Sequence, residues 1–311
     1  MGTPLFLGEA TGRRFAMGLM VVSSVIISFG GLIIRNIEMA DTWQINFYRA
    51  WALVAVVATI IAVQQRRRAL QYVRSVAWPG LWGGVLLAVA GLAFLQSLTN
   101  TTVSNTLFTL CTIPFITAAL ARVFLGEHLR PVTLVTMVIA AGGAMVMVAQ
   151  GLGTGSLYGN LMALVTALCF SGFAVIVRHN RHVDMLPTIL LSGLIIIVVT
   201  FIVTFRDLHI TWLDLVLCFV WGGILSGCAN WMFIVASRYL VAAEVTLFML
   251  LEFALGPLWV WLFVGETPAG WTLLGGAMII SAVAARAIVE LGWTTKARAF
   301  SGDTGPRAPG P

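Results

Sequence analysis

Apolar runs of about 20 residues succeed one another along nearly the whole chain, and that pattern leaves few folds open. At ~1.5 Å of rise per residue, each run makes a helix that crosses a hydrocarbon core of about 30 Å. Ten spans are predicted, at 13–35, 43–64, 78–98, 103–124, 130–150, 156–179, 185–205, 213–238, 244–263 and 269–290. Their connectors are short, and the longest, Gln65 to Ala77, has no room for an extramembrane domain. Charged residues make up 10% of the chain, against roughly 25% in soluble domains. The expected fold class is an all-α membrane protein. Arg13-Arg14 ahead of the first run resembles the basic flank of a signal peptide, but the run is too long and no small-residue cleavage site follows. It reads as a retained first span. The tail, 291–311, is rich in Gly, Pro, Ala and Arg, which predicts a disordered cytoplasmic segment.

The runs come in two sets. Trp82-Gly83-Gly84-Val85-Leu86, Phe94 and Phe124-Leu125-Gly126-Glu127 recur 139 positions on, without a gap. The second set is Trp221-Gly222-Gly223-Ile224-Leu225, Phe233 and Phe263-Val264-Gly265-Glu266. Ser28 and Arg35 fall on Ser171 and Arg178 at a slightly different offset of 143. Leu and Val match by chance in apolar sequence, whereas Trp-Gly-Gly and Gly-Glu at one fixed spacing do not. The chain reads as duplicated, with units at 13–150 and 156–290.

Charge placement then orients the copies. With the N-terminus in the cytoplasm, fifteen of the eighteen Lys and Arg fall on the cytoplasmic side. Arg35 and Arg206 fall outside, and Arg49 lies within the second span. The positive-inside rule puts both termini in the cytoplasm. Five spans per copy is an odd number, so the second copy enters from the opposite face. The expectation is ten transmembrane helices as two inverted five-helix repeats around a central cavity. Such repeats are the usual architecture of secondary transporters, because exchanging the conformations of two equivalent halves turns an outward-open protein inward. The partners implied are a small-molecule substrate and the lipid bilayer, with one copy sufficient for function.

Other classes fit less well. The net charge of +6 is spread over connectors with no aromatic-interleaved stripe, so no nucleic-acid partner is expected. Cys111, Cys169, Cys218 and Cys228 lie inside apolar runs without a C-x-x-C pair or a nearby His, so neither metal nor cofactor is expected. No H-E-x-x-H, G-x-S-x-G or P-loop occurs, which argues against an enzyme and against direct use of ATP. Transport would run on gradients, with protons a candidate coupling ion. A channel would favour an oligomeric pore or a charged ring, and counter-flow separates it from a transporter.

Ten spans as five plus five, with Gly126-Glu127 and Gly265-Glu266 closing the fourth and ninth, resemble the EamA-type branch of the drug/metabolite transporter superfamily. The resemblance covers roughly residues 15–290. The family often has Pro thirteen residues before this Glu; Pro114 obeys, but Phe253 stands at the second position, with Pro257 four places later. The resemblance implies export of amino acids, aromatic or otherwise neutral, through a cavity lined by both halves, from the bacterial inner (plasma) membrane. Efflux of cationic compounds and metabolite uptake stay open as alternatives on the same fold.

Glu252 is the sharpest site candidate, because an ionised carboxylate about 12 Å into the ninth span costs at least ~2.5 kcal/mol unless paired or wet. It either faces a cavity and meets a substrate ammonium or a proton, or is a neutral acid bonded between helices. Arg49 is its complement, for a substrate carboxylate or for Glu252 itself, unless it snorkels to the headgroups. Asn230 and Trp231 sit mid-span opposite Gly91 in the repeat, as cavity lining or an interhelical contact. Trp82 and Trp221 are expected at the membrane interfaces as part of an aromatic belt. Pro114 and Pro257 are candidate gating kinks. The Gly-Glu pairs read as structural: a helix-ending Gly, then an acid at the start of the next helix.

Overall fold

The computed structural model describes residues 9–65, 69–149, 156–204, 208–265 and 269–301, and among these every regular element is helical. In chain order they are α1 (Glu9–Ser28), α2 (Gly30–Arg35), α3 (Thr42–Gln65), α4 (Ala69–Ser75), α5 (Ala77–Asn100), α6 (Val103–Leu110) and α7 (Ile113–Leu125). Then come α8 (Pro131–Val148), α9 (Leu157–His179), α10 (Leu186–Thr204) and α11 (Trp212–Phe219). A π-helical segment (Val220–Ser226) comes next, then α12 (Gly227–Ala236), α13 (Ala242–Val264) and α14 (Gly270–Ser301). Nine stretches among the described residues are long and apolar enough to cross a membrane. The expected span at 130–150 is a shorter apolar helix, Pro131–Met147. The chain is an integral membrane protein. The last helix runs on to Ser301, beyond the expected boundary at 290.

Three expected spans are not uniform α-helices. The first is interrupted at Phe29, between α1 and α2, where Gly30-Gly31 supply little helix propensity. The fourth is interrupted at Cys111-Thr112, and Pro114 sits in the first turn of α7, where its missing N–H costs nothing. The eighth carries the π-helical segment across its Trp-Gly-Gly. Pro257, by contrast, lies inside the unbroken α13. Gly126 and Gly265 end α7 and α13 at φ 65° and 78°, the left-handed region that favours glycine.

The core joins α1, α3, α9, α10, α12 and α13, with Phe173 stacked on Phe233 at 5.7 Å and Met20, Ile189 and Phe248 fully enclosed. Helix neighbours follow a pattern. α5 packs on α9 and α12 on α1; α10 packs on α5, and α3 on the π-helical segment; α7 packs on α9 and α13 on α1. Exchanging the first five expected spans for the last five carries each of these pairings into the next. The pairs α8–α14, α3–α10 and α7–α13 carry into themselves.

Candidate functional site

One end of the bundle is tied by buried ion pairs. Glu244, in the first turn of α13, takes Arg13 Nη2 at 3.0 Å, Arg286 Nη2 at 2.7 Å and the Thr133 hydroxyl at 3.0 Å. Those groups come from α1, α14 and α8, so a single carboxylate holds four helices. Beside it, Glu127 accepts Arg178 Nε at 2.6 Å and the Ala242 N–H at 3.2 Å. The second nitrogen of Arg178 donates to the carbonyls of Ser237 and Arg238. The sequence placed Glu127 as the acid of the following helix. Instead it caps the start of α13, because the helix dipole there offers free N–H groups to an anion. Glu266, its repeat partner, lies outside the described residues.

At the other end, α13 meets the interrupted first span. Glu252, Gly256, Trp259 and Phe263 recur at three- and four-residue spacing and share one face of α13. Trp259 stacks on Phe29 with centroids 4.6 Å apart and planes 12° apart, and its indole N–H donates to Ser28 Oγ at 2.8 Å. Phe263 tilts against both rings. Asp214 pins the adjacent loop by accepting the backbone N–H groups of Glu38, Met39 and Ala40.

Glu252 lies between these two closures, ten residues into α13 and so about 15 Å from its start. It keeps intermediate exposure and makes no hydrogen bond or ion pair among the described residues. Arg49, on α3, is within its electrostatic reach. The Arg49 guanidinium lies 4.5 Å over the ring of Trp221 and likewise has no acidic partner among the described residues. Gly222 makes this approach possible, since a side chain there would run into the Arg49 backbone carbonyl. The Arg49 guanidinium and the Glu252 carboxyl thus stand on α3 and α13 without an ion pair closing between them.

The other candidates are placed elsewhere. Asn230 Nδ2 donates to the Ser226 carbonyl of its own helix at 2.8 Å. Trp231 is 38% exposed. Gly91 packs toward Ile196 of α10. Pro114 stands at the break between α6 and α7. The belt expectation fails for Trp221, which is 5% exposed beneath Arg49, while Trp82 is 59% exposed. Sequence reasoning also missed the Phe29–Trp259 pair, for which Gly30-Gly31, near the end of the first span, was the available signal.

Residues 14–149 match the EamA-like transporter family. A riboflavin transporter of Rhizobium johnstonii (strain DSM 114642 / LMG 32736 / 3841) is 28% identical over 214 residues, covering 66% of this chain and 68% of that protein. A protein of known crystal structure shares the fold, with a TM-score of 0.72 at 15% identity over 88% of this chain and 96% of its own. The two named matches are to transporters, not enzymes.

Proposed function

We propose that the chain is a secondary transporter that exports small zwitterionic metabolites, amino acids among them, by alternating access of two inverted five-helix halves. The observation that carries this reading is the pair Arg49 and Glu252, a basic and an acidic side chain on membrane helices that form no ion pair among the described residues. Each costs at least about 2.5 kcal/mol at a helix centre unless solvated or paired. An amino acid presents the complement of both: a carboxylate for Arg49 and an ammonium for Glu252. The matching of helix neighbours on exchange of the halves supports the repeat, and the family match over the first half supports the transporter class. The ion pairs at the end holding Arg13, Arg178 and Arg286 suit a closed cytoplasmic side, as the positive-inside rule would place it in a bacterial plasma membrane. A single copy contains every group the reading uses, and protons are the coupling ion it would test first.

A flavin is the second reading, favoured by the name of the Rhizobium relative and by the aromatic surfaces of Phe29 and Trp259. Riboflavin has no ammonium for Glu252. Flux of labelled phenylalanine and labelled riboflavin into proteoliposomes, with and without a pH gradient, separates the two. Saturable phenylalanine flux that speeds up when unlabelled phenylalanine is loaded on the far side is the expected result. Riboflavin flux alone would replace the amino acid with a flavin, and flux without counter-flow acceleration would mean a channel.

A further inference from the structure

We infer that Trp221 is a positioning residue for Arg49, turned inward by the π-helical segment so that the guanidinium stays in the interior as an anion-binding group. This rests on the substrate reading only for the identity of the anion. Arg49 lies seven residues into α3, about 10 Å from that end of the helix, where a long basic side chain can bend out to the headgroups. The ring 4.5 Å below it offers the guanidinium an attractive face that lipid does not. The ring is itself fixed from behind. A Cβ added at Gly30 would sit 2.8 Å from Trp221 Nε1, so the start of α2 lies directly against the indole.

The repeat supplies the control. Trp82 occupies the same Trp-Gly-Gly in α5, an uninterrupted α-helix, and is 59% exposed. Trp221 is the second residue of the π-helical segment and is 5% exposed. One extra residue in a helical turn rotates the residues before it by about 100° relative to those after it. The two copies of one motif therefore present their tryptophans differently. Only the second has an Arg to receive, since the residues aligned with Arg49 in the other copy, Leu190 to Gly193, are uncharged.

The test uses the full chain in proteoliposomes, with Trp221→Leu and Trp221→Phe. Arginine labelling by a membrane-impermeant glyoxal, quantified at Arg49 by mass spectrometry, should rise about tenfold in Trp221→Leu as the side chain leaves the interior. Trp221→Phe, which keeps a ring face, should stay near wild type. Gly30→Ala, which pushes the indole without removing it, should move labelling in the same direction as Trp221→Leu and serves if that variant does not fold. In parallel, the KM for phenylalanine should rise about tenfold in Trp221→Leu with kcat held, while that for phenethylamine, which lacks the carboxylate, should not move. Unchanged Arg49 labelling in both Trp221→Leu and Gly30→Ala would overturn the inference. Raised labelling in a protein that carries neither probe would uphold the positioning role and overturn the amino acid reading instead.

Discussion

Two glutamates on α13 separate function from architecture at the level of single residues. Glu244 is 3% exposed and bonded to two arginines and a threonine, whereas Glu252 has no partner among the described residues. Glu244→Gln should therefore destabilise by about 3–5 kcal/mol, because Arg13 and Arg286 are left as poorly compensated buried charges. A thermal melt of the purified protein checks it, and an unchanged midpoint would refute the role. Glu252→Gln should behave in the opposite way. It removes a costly lone charge, so the melting temperature should hold or rise, while phenylalanine flux should fall at least about tenfold. Wild-type flux in that variant would leave Glu252 without a transport role. The sequence made Glu252 legible because a carboxylate in an apolar run stands out by its cost alone. Glu244 sat at a helix start, where an acid needs no explanation, and its three partners lie 231, 111 and 42 positions away. Nothing local marks such a contact.

At the scale of elements, helix ends were more legible than helix interiors. Gly126 and Gly265 were readable because a left-handed terminus has few residue choices. The interruptions at Phe29 and Cys111-Thr112 and the π-helical segment were not, since a membrane helix tolerates weak formers wherever neighbours satisfy the freed backbone. The two candidate gating prolines, four places out of register in the repeat, separate here. Pro114 adjoins a real break that already divides the span into α6 and α7, while α13 stays continuous through Pro257. The hinge is thus expected in the fourth span. Pro114→Ala restores a donor at the break and lets α6 run toward α7, so turnover should fall several-fold with KM little changed, read from initial flux rates. Pro257→Ala should have the smaller effect. The reverse ranking would move the hinge to α13.

For the whole molecule, the contrast between its two ends predicts which one is shut. The end with Glu127, Arg178, Glu244 and Arg286 is held by charge-assisted bonds, of which Arg13–Glu244 and Arg178–Glu127 join the first five expected spans to the last five and must break for it to open. The opposite end is held near Glu252 by ring stacking between Phe29 and Trp259 and one indole hydrogen bond. Rings slide apart without leaving a buried charge unpaired, so that end should open first. Glu127→Cys with Arg178→Cys, joined by a bifunctional thiol reagent, replaces an ion pair of 2.6 Å with a covalent tie between the fourth-span connector and α9. Locked protein should still bind phenylalanine from the Phe29–Trp259 side yet carry out no counter-flow, and a cleavable linker should restore it on reduction. Binding lost along with flux would show that the tied end is the entrance. Flux that survives the tie would show that the halves do not rock about this site, and with that the inverted-repeat mechanism would fall.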